Sequence, residues 1–154
     1  MAKVIALANQ KGGVGKTTTK EMTHAVMSSK YNTLKNEGNL NNEIGVPLTL
    51  FRLDETHEAA VIEMGMSGFG EISYLSRIGT PDIAIITNIG TSHIEKLGSR
   101  EGILKAKLEI LHGMKAGTPI ILNGDDDMLA TIKEVHGHKP VTYGLTMKSD
   151  VYIT

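Results

Sequence analysis

Asn9-Gln10-Lys11-Gly12-Gly13-Val14-Gly15-Lys16-Thr17-Thr18-Thr19 is the stretch on which the reading of this chain turns. It follows the apolar run Val4-Ile5-Ala6-Leu7-Ala8 and leads into a helical pattern. Strand, glycine-rich loop, Lys-Thr and helix is the order a phosphate-binding loop requires. The glycines let the backbone curl so that successive N–H groups converge on anionic oxygens, with no Cβ atoms in the way. A helix starting near Gly15 adds the positive end of its dipole and its unpaired N–H groups. Lys16 then reaches the β/γ phosphates and the Thr17 hydroxyl takes a Mg²⁺ ion. The candidate nucleotide set at the loop is Lys11, Gly12, Gly13, Val14, Gly15, Lys16, Thr17 and Thr18. The plain pattern has glycine where Gln10 stands; here a second lysine, Lys11, opens the loop instead.

The rest of the chain suits that reading. Its 154 residues are the length of one domain with a real core. Apolar residues make up 40% and charged ones 21%, the balance of a soluble globular protein. A net charge of −1 offers no electrostatic case for nucleic acid or a membrane surface. With no cysteine there is no disulfide, thiolate metal site or cysteine nucleophile. No apolar run reaches membrane-spanning length and the first is too short for a signal peptide, so the expected setting is the cytoplasm.

Thr17 to Lys30 reads as a helix, with Met22, Ala25, Val26 and Ser29 as its inward stripe. Tyr31 to Leu34 is a short strand candidate, and Lys35 to Gly45 is a polar connection rich in asparagine. A helix follows from Pro47 to Leu53, with proline in its first turn. Ala59 to Gly65 is a buried-type strand ending in the carboxylate of Glu63. Further helices are expected over Ile72–Ile78, Ser99–His112 and Asp126–His136, the last two stopped by Gly113 and Gly137. Strands are expected over Asp82–Asn88, Pro119–Asn123, Val141–Gly144 and Val151–Ile153.

Apolar strands without alternation, separated by helices, specify an α/β fold: a doubly wound, mostly parallel sheet with helices on both faces. Ligands gather at the carboxyl ends of such strands. Lys11 to Thr17, Glu63, Asn88 to His93 and Asn123 to Asp127 all follow strands in this reading and share one rim. On position alone Glu63 is a Mg²⁺ ligand or a solvent-facing strand-end carboxylate. His93 alone reads as a polar loop residue, and Lys107 as a solvated helix lysine. Asn123 to Asp127 suits a ribose or base contact, or an acidic helix N-terminus. The histidines at 24, 57, 112, 136 and 138 are structural and the methionines fill core.

Two resemblances sharpen these alternatives. Residues 1–19, with the double-lysine loop Lys11-Gly12-Gly13-Val14-Gly15-Lys16-Thr17, resemble the opening of the ParA/MinD-type partition ATPases. In those, the front lysine, here Lys11, implies contact with a partner subunit's nucleotide. From residue 16 to 154 the motifs change. Lys16-Thr17-Thr18-Thr19-Lys20-Glu21-Met22, Asn36-Glu37-Gly38-Asn39-Leu40-Asn41-Asn42-Glu43-Ile44-Gly45-Val46-Pro47 and Glu63-Met64-Gly65-Met66-Ser67 resemble the central ATP-binding domain of the Mur ligases, in their MurF form. Thr87-Asn88-Ile89-Gly90, Ser99-Arg100-Glu101-Gly102, Lys105-Ala106-Lys107-Leu108-Glu109 and Asn123-Gly124-Asp125-Asp126 continue it.

That resemblance implies ATP/ADP with Mg²⁺, held by Lys16 and Thr17, with Glu63 and His93 as metal ligands. It implies a carbamylated Lys107 on a second Mg²⁺, with Lys16 and Lys107 as the catalytic pair, and Asn123 and Asp125 near the base. The reaction implied is activation of a carboxylate as an acyl phosphate, then amide formation. The family's T-G-S-N-G-K-T loop is replaced here, so the expected origin is an engineered chimera joined within Gly15–Thr19. The expected activity is weak ATPase at most, because the substrate and C-terminal domains are absent from these residues. Self-association through surfaces they would cover is expected. The alternatives are a partition-type switch dimerising through Lys11 and a folding scaffold without nucleotide binding.

Overall fold

The computed structural model describes residues 1–10, 16–92, 94–146 and 148–152, with the backbone alone for residues 9, 10, 16 and 17. Its strands are β1 (Lys3–Gln10), β2 (Thr33–Lys35), β3 (Ala59–Met66), β4 (Ile83–Ile86), β5 (Ile120–Asn123), β6 (Pro140–Gly144) and β7 (Val151–Tyr152). They form one seven-stranded sheet in the order β2-β3-β1-β4-β5-β6-β7, and every pairing is parallel. The α-helices are α1 (Lys16–Ser28), α2 (Gly45–Leu50), α3 (Glu71–Gly79), α4 (Ile94–Leu97) and α5 (Arg100–Leu108). The strand order changes direction around β1, the position where open α/β sheets form their ligand crevice.

Alternation along the central strands divides the core into two layers. Val4, Ala6, Ala8, Ala60, Ile62, Met64 and Met66 face α2, α3 and α5 in the larger layer, with Val46, Ile72, Leu75, Ile103 and Ala106. Ile5, Leu7 and Val61 face the other way, with Met27 of α1 and the half-buried Ile83 and Ile85. Both faces thus carry helices, as expected from uninterrupted apolar strands. At about 25 cal/mol per Å² of apolar surface, each wholly buried leucine or isoleucine in these layers contributes roughly 2 kcal/mol.

Several local expectations are corrected. The stripe assigned to the inward face of α1 points outward: Met22 is 65% exposed and Val26 72%. They line an open apolar groove with Ile85, Ile121, Val141 and Val151. Among the described side chains of α1 the buried one is Lys20. Asp126–His136 is not a helix. Asp126 Oδ1 accepts from Met128 N and Leu129 N and starts one 3₁₀ turn, Leu129–Thr131, after which Ile132 is extended. Val135 and His138 then exchange both backbone hydrogen bonds around His136 and Gly137, whose φ values of 49° and 77° make a two-residue hairpin turn. The helix predicted over Ser99–His112 has Ser99 as its N-cap, its Oγ accepting from Gly102 N at 3.2 Å, and finishes as a 3₁₀ turn over Glu109–Gly113. Short α4 had no periodic signal in the sequence.

Asp82 joins β1 to the start of β4. Its Oδ2 accepts from Val4 N at 2.9 Å and its Oδ1 from Lys3 Nζ at 3.1 Å. Partial burial pushes its carboxyl up, but the Val4 N–H and the Lys3 charge outweigh that and hold it below the usual aspartate range. Its stabilising effect is therefore complete above the unfolded value of about 3.9 and is lost as pH falls through the lower folded value. Asp82→Asn is expected to lower stability at neutral pH by on the order of 1 kcal/mol, the size of one partly exposed charged hydrogen bond. Urea denaturation at neutral and acidic pH checks it: the gap between variant and parent should close on acidification.

Candidate nucleotide and cation site

β1 runs to Gln10 and α1 begins at Lys16, so the glycine-rich segment joins the central strand to the helix across its face, the placement a phosphate loop needs. Lys11, Gly12, Gly13, Val14, Gly15 and His93, and the side chains of Lys16 and Thr17, lie outside the described residues. Thr18 is exposed on the first turn of α1.

Glu63 does not follow its strand. β3 continues through Met66, and Glu63 pairs in register with Leu7 of β1 inside the sheet. By alternation it faces α1, with Val61. It is 3% exposed, which removes the solvent-facing alternative. Its surroundings are specific. Asn36 Oδ1 accepts from Glu63 N at 3.0 Å, and Asn36 Nδ2 donates to Glu63 O at 2.9 Å. Asn41 Nδ2 donates to Glu63 Oε1 at 2.9 Å, and Asn41 O accepts from Gly65 N at 2.7 Å. Gly65 is required there, because a Cβ would lie 2.7 Å from the Asn41 side chain. Among the described residues, Glu63 Oε2 is the buried side-chain polar atom left without a hydrogen bond. A buried oxygen in that condition needs a reason, and a hard cation supplies one. The donor type and its unfilled valence fit Mg²⁺. No group of three or more acidic or histidine side chains among the described residues could hold a metal by itself.

Lys107 is also corrected: it is wholly buried on the inner face of α5, beside Ile103, Ala106 and Ile110. Its Nζ donates to Asn88 O, at the loop that follows β4. The same loop is held by Asp126 Oδ2, which accepts from Ile89 N at 2.8 Å, and by Arg100, whose Nε and Nη2 donate to Ile89 O. Arg100 Nη1 also reaches Asp127 Oδ2 at 2.8 Å. The Arg100 guanidinium holds the Asp127 carboxyl below its usual range. Neither aspartate caps a long helix; they brace the loop after β4.

Asn123 and Asp125 tie strand ends together. Asn123 Nδ2 donates to Thr87 O at 3.0 Å and its Oδ1 accepts from Asp125 N at 3.0 Å. Asp125 Oδ2 accepts from Leu145 N at 2.7 Å. Both sit at the carboxyl rim, with Asp125 exposed. Sequence reasoning missed Lys20, Asn36, Asn41, Arg100 and Asp126 as organisers of this rim. All five lie in the segments that carry the family resemblance, but periodicity cannot tell a buried lysine from a solvated one, and nothing local says which backbone groups these side chains reach.

The family model for the Mur ligase middle domain matches residues 12–154. A UDP-N-acetylmuramoyl-tripeptide–D-alanyl-D-alanine ligase from Bacillus subtilis (strain 168) is 50% identical over 139 residues, which are 90% of this chain and 30% of that protein. A crystal structure of MurF from Acinetobacter baumannii superposes with a TM-score of 0.86 at 41% identity, covering 98% of this chain and 32% of the other. MurF ligase from Thermotoga maritima, solved in complex with ADP, gives 0.81 at 33% identity over 94% of this chain and 33% of that one. The chain thus spans about 30% of the length of the curated relatives it matches.

Lys107→Ala is expected to lower stability by about 2–4 kcal/mol, because it empties a packed position and strips the Asn88 carbonyl of its donor. Lys107→Met, which keeps the volume, should recover more than half of that loss in urea denaturation.

Proposed function

This chain belongs to the Mur ligase middle-domain family, and from that premise we propose that it binds ATP or ADP with Mg²⁺ at the rim described above, as the nucleotide-binding part of a MurF-type ligase of peptidoglycan-precursor assembly. The observation that carries the reading is Glu63, buried on the α1 face of the strand beside β1, with one carboxylate oxygen unpartnered. The ADP complex of the Thermotoga maritima relative supports the choice of ligand. Lys11, Gly12, Gly13, Val14, Gly15 and Thr18 cradle the phosphates, Lys16 neutralises the β/γ oxygens, and Thr17, Glu63 and His93 are the cation's ligands. A Mg²⁺ ion held there would supply charge neutralisation at the phosphates. Lys107, if carbamylated, would hold a second cation, and Asn123 and Asp125 would adjoin the base. Joining of the two ligase substrates is not assigned to these residues, since positioning both of them supplies much of such a rate. Slow ATP hydrolysis in the cytoplasm is the activity we assign to them.

A separate origin for residues 1–19 belongs to the same proposal. The family match leaves out residues 1–11 and includes residues 12–19, and the strand over Lys3–Gln10 pairs with β3 over eight residues without interruption. A graft joined within Gly15–Thr19 leaves the sheet intact because both parents place strand, loop and helix in the same order.

Calorimetric titration of ATP with Mg²⁺ should show saturable binding that weakens at least tenfold in Lys16→Ala. No binding by the folded parent would overturn the reading. The groove lined by Met22, Val26, Ile85, Ile121, Val141 and Val151 is expected to drive self-association, seen in sedimentation velocity as a mass that rises with concentration. Val26→Lys should hold the chain monomeric.

A further inference from the structure

Lys20 and the Asn36–Asn41 loop do something the fold alone does not require. Lys20 is wholly buried, one of the two largest side chains to be so among the described residues. Removing a lysine head from water is costly unless its donors are satisfied. Lys20 Nζ donates to Asn36 O at 2.7 Å and to Gly38 O at 3.2 Å, and lies 3.3 Å from Glu21 Oε1. Both carbonyls belong to the loop that leaves β2, so the lysine pins that loop from the helix above it.

The pinned loop then replaces a strand. β2 ends at Lys35, whose partner in β3 is Val61. Two residues further along β3, the Asn36 side chain makes both bonds a neighbouring strand would have made, one to Glu63 N and one to Glu63 O. Asn36 Nδ2 also donates to Leu40 O at 2.8 Å, which folds the loop back. That return sets Asn41 against Gly65 and onto Glu63 Oε1. Glu63 is thereby fixed at its N–H, its carbonyl and one carboxylate oxygen. The other oxygen, Oε2, remains.

We propose that Lys20 is a positioning residue for the cation: by pinning the loop from Asn36 to Asn41 it sets Asn41 on Glu63 Oε1, which leaves Glu63 Oε2, in one orientation, as the ligand. The inference rests on the reading of Glu63 as a cation ligand. Groups that orient a ligand in this way typically set metal affinity by about 10–100-fold when removed. Lys20 touches neither the nucleotide nor the cation in this account; it acts through the loop.

Mn²⁺ titration followed by the electron paramagnetic resonance of the free ion tests it on the whole chain without nucleotide. The variants are the parent, Glu63→Gln, Lys20→Met and Asn41→Leu, each with its melting temperature. The expected result is one site in the parent, its loss in Glu63→Gln, and about 10-fold or greater weakening in Lys20→Met and Asn41→Leu. A parent that binds no Mn²⁺, or a Glu63→Gln variant that binds as the parent does, sinks the Glu63 reading and this proposal with it. Loss in Glu63→Gln with parental affinity in Lys20→Met leaves Glu63 standing and overturns the role of Lys20, even if the melting temperature falls. Should Lys20→Met not fold by circular dichroism, Asn41→Leu decides: retained affinity there overturns the relay, and weakened affinity in a folded protein supports it.

Discussion

The parallel pairing of β1 with β3 is the constraint from which the rest follows. It runs over eight residues, and every residue of β3 is buried. Inside such a ladder each backbone group is already committed, so a polar side chain can be admitted only with its own partners supplied. Glu63 is the acidic residue admitted there, and its setting shows the cost being met. Two asparagines from a single loop satisfy three of its groups, and a glycine two residues on makes room for one of them. The strand beside it leads directly toward the glycine-rich loop. A carboxylate at this point is held by the sheet and aimed by a loop, which is a more rigid arrangement than a strand-end residue would have.

The same device appears twice. Lys20 on α1 and Lys107 on α5 are both wholly buried, and both place Nζ on a backbone carbonyl of a loop that leaves a strand. One loop follows β2 and the other β4. In each case a long flexible side chain crosses apolar surroundings to satisfy carbonyls that have no ladder partner. Arg100 and Asp126 add to the second clamp by binding the carbonyl and the N–H of Ile89. The rim is thus organised by charged groups reaching in from helices. Its loops are anchored where an irregular backbone would otherwise leave buried polar atoms unsatisfied.

Much of the architecture was legible in the chain, for reasons that can be located. Val4–Ala8, Ala59–Ile62, Ile83–Ile86 and Ile120–Leu122 are apolar without alternation, and only a strand covered on both faces tolerates that pattern. The errors fall where local pattern and tertiary setting disagree. Met22 and Val26 look like an inward stripe, yet α1 is rotated so that Lys20 faces the sheet side. The preference of Met and Val for burial is a few kcal/mol, and three saturated lysine donors plus the packing of Met27 outweigh it. The segment after Asp126 carries helix-forming residues, but the Asp126 side chain closes a tight turn and His136-Gly137 takes left-handed backbone, so the chain turns back.

From the sequence alone came the doubly wound sheet, the place of the glycine-rich segment between its central strand and a helix, and the rim position of Asn123 and Asp125. These depend on period, run length and glycine placement, which are local properties of the chain. The burial of Glu63 within β3, the inward turn of Lys20 and Lys107, and the asparagine loop that grips Glu63 were decided only in three dimensions. Each depends on which atoms from distant segments are left without a hydrogen-bond partner once the sheet has formed, and no local pattern records that.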